Sequence, residues 1–171
     1  MLTITPLETA GVELLPPDIV WNGTAGDFVL AAGTLQATDP IKTAVVMLLF
    51  SDARGTDEQM RRADETDKRG WVGDGFDVDR AAGETDLGSR LRFFRREALT
   101  DQLARDFQEE AARALQPLIV QGAVARLDVA AEAILDPPGN LLVLTVNLYG
   151  RDGSRRYADR FDILWNDASA L

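Results

Sequence analysis

The chain contains no cysteine and no histidine. Without cysteine there are no disulfides and no thiol nucleophiles, and the redox compartment stays open. Without histidine the commonest metal ligand and the commonest general base are gone. Ser-His-Asp and Cys-His catalysis are excluded, as is any His/Cys zinc site. Lysine is scarce as well, with Lys42 and Lys68 alone, so the positive charge is almost entirely arginine. Arginine is the cation enriched at protein interfaces, where lysine is depleted. No apolar run approaches the ~18 residues of a membrane span. The opening MLTITPLETAG lacks the basic and apolar regions of a secretion signal. Neither repeats nor low-complexity tracts occur.

What remains for catalysis is carboxylates, such as Asp74 with Asp77 or Glu109 with Glu110. A glycosidase pair needs a defined separation across a cleft. Among 28 acidic residues some pair meets any distance by chance, so no catalytic residue is assigned and no enzyme is expected. Asp74-Gly75-Phe76-Asp77-Val78-Asp79 has the look of a calcium loop, but its spacing does not fit an EF-hand. No metal or cofactor is therefore assigned. The net charge of -10 argues against nucleic acid as a partner.

The length of 171 residues suits one domain with an appended arm. Residues 1–38 read as an N-terminal extended arm, in which residues 18–22 and 27–31 form a hairpin around Asn22-Gly23. Residues 39–171 form the main domain. Asp39 and Pro40 start a first helix well. Ile41, Ala44, Val45, Leu48 and Leu49 share one face, and Val46, Met47 and Phe50 add apolar surface elsewhere. Such a helix belongs in a core. Residues 53–86 form a long polar loop in which Gln59 to Lys68 is at most a surface helix without an apolar stripe. A second helix is predicted from about Leu87 to Ala98, with Leu87, Leu91, Phe94 and Ala98 inward and Arg92, Arg95 and Arg96 outward. A third runs from Thr100 to about Gln121. Its stripe is Leu103, Phe107, Ala111, Ala114 and Leu118, with Pro117 loosening its end and Gly122 as C-cap.

The last third changes period from 3.6 to 2. Segments near 125–132, 142–149 and 157–165 alternate, separated by Asp136-Pro-Pro-Gly-Asn140 and Arg151-Asp-Gly-Ser154. This predicts a three-stranded antiparallel meander. The fold class is α+β, with three helices packed on that C-terminal sheet. Trp71 and Phe76 stand out in the polar loop, because exposed rings gain nothing from burial; they are expected to anchor the loop on this core or on a partner. The last strand contains neither proline nor glycine, and Tyr157, Phe161 and Ile163 mark it as an edge open to another strand. The arginines Arg92, Arg95 and Arg96 are the candidate contacts for a carboxylate-bearing partner.

Three stretches in order, TAVVMLLFSDAR, RGWVGD and LGSRLRFFRRE, span Thr43 to Glu97. Together they resemble the Mu-like branch of phage baseplate wedge proteins, similar to the baseplate assembly protein W family of contractile-tail phages. The resemblance implies a structural late protein of the virion, assembled in the host cytoplasm. It implies as partners a J-like wedge scaffold, the tail sheath and the tail hub, spike or tube, with copies in a multiple of six. The broader family carries Glu-Pro-Arg after its second helix, where this chain has Arg95-Arg96-Glu97-Ala98; only the region carries over. A similar fold serves a bacterial anti-adaptor protein, so an interaction module outside a virion is the alternative.

Overall fold

The computed structural model describes residues 17–165 apart from 22–25, 32, 37, 65, 68–69, 74–77, 83 and 137–138. Asp39 caps the first helix, accepting from the Lys42 amide at 3.1 Å, with Pro40 in the first turn. Helix α1 then runs Pro40–Phe50 and buries Val45, Val46, Leu48 and Leu49. Ile41, Ala44 and Phe50 are half-buried against the same core, which absorbs the apolar surface expected to need cover.

Short strands β1 (Ile19–Trp21) and β2 (Gly26–Phe28) form the expected hairpin. Strands β3 (Leu30–Ala31) and β4 (Thr34–Leu35) form a second one. Asp18 ties this region to α1. Its buried carboxylate accepts from the Thr38 amide and hydroxyl and from the Asp39 amide, the last at 2.8 Å. The Asp39 amide bond holds the carboxyl below its usual range; burial opposes this and the Thr38 hydroxyl reinforces it.

The polar segment carries more structure than its composition suggests. Helix α2 (Asp57–Ala63) is closed by a capping box between Thr56 and Gln59. It is not stripeless: Met60 and Ala63 bury against Phe93 in a small second core. The predicted second helix is a 3-10 turn, Leu91–Phe94, rather than an α-helix over 87–98. Leu91 enters the main core while Phe93 enters the small one, and Ala98 is exposed. Two neighbouring anchors pulled into separate cores override the helical face read from Leu87, Leu91, Phe94 and Ala98.

Helix α3 (Asp101–Val120) starts at the Thr100 cap and buries every residue of its expected stripe. It continues through Pro117 to a C-cap at Gln121, one residue before the expected Gly122, whose φ of 74° suits glycine at no steric cost. Strands β5 (Arg126–Asp136), β6 (Gly139–Tyr149) and β7 (Arg155–Trp165) form the antiparallel meander; β5 ends later, and β6 and β7 start earlier, than the alternation suggests. Leu142, Leu144, Val146 and Leu148 of the central strand face α1 and α3 in the main core.

Candidate functional site

The three motif stretches meet at the end of α1. The Ser89 amide donates to the Ser51 carbonyl at 2.9 Å, and the Ala53 amide to the Ser89 carbonyl at 2.8 Å, a short parallel bridge. The Trp71 amide donates to the Asp52 carbonyl at 2.6 Å. Gly88 makes the join possible: its φ is 109°, and a Cβ there would lie 2.5 Å from the Ser51 carbonyl oxygen. The stretches that carry the family resemblance are therefore one junction.

A cavity of about 360 Å³ opens beside this junction. It lies between the end of α1, the 91–94 turn and the end of β7, and its lining includes Phe50, Leu91, Arg92, Arg95, Ile163 and Leu164. The arginines and the last strand, separate in the sequence, are thus brought to one groove. Trp165 closes its end, with its indole donating to the Glu97 carbonyl at 2.8 Å and its ring edge-on to Phe107.

The three arginines have different roles. Arg92 is folded back, its side chain 15% exposed, with its guanidinium 4.5 Å from the Phe93 ring centroid and 3.9 Å from the Asp52 carboxylate. Arg96 donates to the carbonyls of Ala63 and Asp64, where α2 ends. Arg95 is exposed and lines the groove mouth. Of the three arginines expected to point outward, Arg95 and Arg96 are exposed and Arg92 is half-buried, and Arg95 is the exposed one that lines the groove. Trp71 is 47% exposed. Phe76 lies outside the described residues, as do Asp74 and Asp77.

On the last strand, Tyr157 and Phe161 are core residues, so their side chains do not face a partner. Phe161 packs edge-on to Phe50 at 5.1 Å. The Tyr157 hydroxyl donates to Asp159, and burial followed by that carboxylate pushes the phenol far above its usual range. Ile163 is half-buried in the groove wall.

The direction of the main chain decides what the edges offer. The Ala131 amide of β5 is taken by the Gln108 side chain of α3, so odd residues of β5 face away from β6. The register then points the odd residues of β7 at β6 and the even ones outward. The Arg160 amide agrees, since its acceptor is the Asp159 carboxylate, which blunts the edge there. The outward amides of Asp162 and Leu164 meet no acceptor among the described residues, and no described strand pairs beyond β7. Leu164, 77% exposed, stands beside them. Sequence reasoning passed over it, although an apolar residue on the polar parity of the last strand was a visible signal.

Residues 41–155 match the model of the family described as phage protein GP46. Baseplate protein gp46 of Escherichia phage Mu is 29% identical over 116 residues, covering 68% of this chain and 76% of that protein. The Mu-like prophage FluMu protein gp46 of Haemophilus influenzae is 28% identical over 136 residues, covering 80% of this chain and 87% of the relative. No solved structure matches the chain.

Proposed function

The chain belongs to the phage protein GP46 family, and from that premise we propose that it is a structural, non-enzymatic wedge subunit of a Mu-like contractile-tail baseplate. It joins a J-like wedge scaffold to the tail hub and to the first ring of sheath, in copies that are a multiple of six. The observation that carries the reading is the groove at the open end of β7. There, two outward amides, an exposed leucine and the Arg95 guanidinium lie together. An extended segment of a neighbouring subunit adds to such an edge by main-chain hydrogen bonds, and its side chains select the register. The sheath supplies the strand, and carboxylates of the scaffold dock at Arg95.

Co-expression with the J-like scaffold and sheath subunits tests this. The expected result is a complex captured on the tagged chain. Arg95→Glu is expected to lose scaffold, and Leu164→Pro to lose sheath. Capture of both partners by the double variant, at wild-type yield, would overturn the reading.

A further inference from the structure

A second cavity, about 480 Å³, lies on the other side of the junction, between the last turns of α3 and the segments around Arg54 and Arg90. Four arginines line it: Arg54, Arg80, Arg90 and Arg113. Two are neutralised within the chain. Arg80 pairs with Asp86, and Arg113 with Glu110, which also accepts from the Arg90 amide. The Arg90 Nε donates to the Arg54 carbonyl at 3.1 Å, which leaves the rest of its fork available. The Arg54 side chain is exposed and has no partner among the described residues. Pro117 and Val120 of α3 add an apolar wall, with Val120 59% exposed.

A chain of net charge -10 has here gathered positive charge that the carboxylates of the described residues do not balance. Like-sign neighbours cost energy unless an anion joins them. The geometry points to this cavity as a docking site for an acidic peptide segment of a protein partner, with its carboxylates on Arg54 and Arg90 and an adjacent apolar side chain on Pro117 and Val120. A planar guanidinium fork matches a carboxylate bidentately. Nucleic acid fits less well, because the overall negative charge repels a long polyanion. The site is distinct from the β7 groove and does not depend on the reading given for it.

The probe is a fluorescein-labelled peptide of four Leu-Glu repeats, titrated with the full chain and followed by anisotropy at low salt. Binding is expected, weakening as salt rises. Arg54→Glu is expected to lower the affinity by about tenfold or more, by placing like charge where the carboxylate docks. Arg105→Glu, exposed on α3 and lining neither cavity, is expected to leave it unchanged. Arg54→Gln provides a second arm with the same direction and no added negative charge, should the reversal disturb folding. The proposal is overturned by no peptide binding, by equal loss in Arg105→Glu, by no loss in either Arg54 variant, or by an oligothymidine that binds more tightly with the same Arg54 dependence.

Discussion

Ser89 Oγ donates to the carbonyl of Leu49 at 2.5 Å, across forty positions of chain. Leu49 is in the last turn of α1, where carbonyls have no partner within the helix. Ser89 is 2% exposed, and its hydroxyl also accepts from the Leu91 amide. Ser89→Ala removes both bonds and leaves a buried carbonyl unsatisfied, a loss of about 1–3 kcal/mol. The midpoint of urea unfolding is expected to fall with an unchanged slope. A midpoint within error of wild type would show that water replaces the hydroxyl.

The arginines of the 91–96 segment separate by charge reversal. Arg95→Glu is expected to change stability by less than about 0.5 kcal/mol, as surface changes usually do. Arg96→Glu removes the donor to two carbonyls at the end of α2. It is expected to lower the melting temperature and to loosen the packing of Met60 and Ala63 on Phe93. Thermal unfolding of the two variants side by side checks this, and the opposite order would refute the division.

Proline scanning along β7 reads the direction of its amides. Ile163→Pro removes a donor that faces β6, and so it damages the meander itself. Leu164→Pro removes an outward donor. It is expected to leave the fold largely intact while preventing strand addition. Circular dichroism and sheath capture distinguish the two; equal unfolding by both would contradict the assigned register.

Acid is expected to release the N-terminal hairpins before the core. The Asp18 carboxyl is held below its ordinary value of 3.8 by the Asp39 amide above all. A depressed carboxyl contributes stability fully above its unfolded value, and that contribution is lost as pH falls through the lower, folded one. The window therefore lies below about pH 4. The amide resonances of Thr38 and Asp39 should move there, and in Asp18→Asn they should show no such titration.

Trp71 is half exposed in the isolated chain, and its ring lies against Gly73, where a Cβ would come within 2.4 Å of it. Assembly is expected to cover the ring. Acrylamide should quench less of the tryptophan emission after assembly in the wild type, and Trp71→Phe should abolish that difference. Equal quenching before and after assembly would remove Trp71 from the interface.

Where one period persisted over many residues, the sequence was enough. The stripe from Leu103 to Leu118, the Asp39 and Thr100 caps and the alternation of the last three strands each specify local structure through propensity and burial of one face. The resemblance carried by the SDAR, RGW and GSRL stretches likewise lay in the residues themselves. Tertiary structure decided the rest, because it depended on partners far along the chain. Phe93 and Leu91 entered different cores and turned a predicted helix into one 3-10 turn. Met60 found Phe93, giving an apolar face to a helix that showed none alone. Tyr157 and Phe161 went inward, and the groove passed to Arg95, Ile163 and Leu164. Which amides of β7 face outward followed from its register with β6, and no composition or period in β7 alone specifies that register.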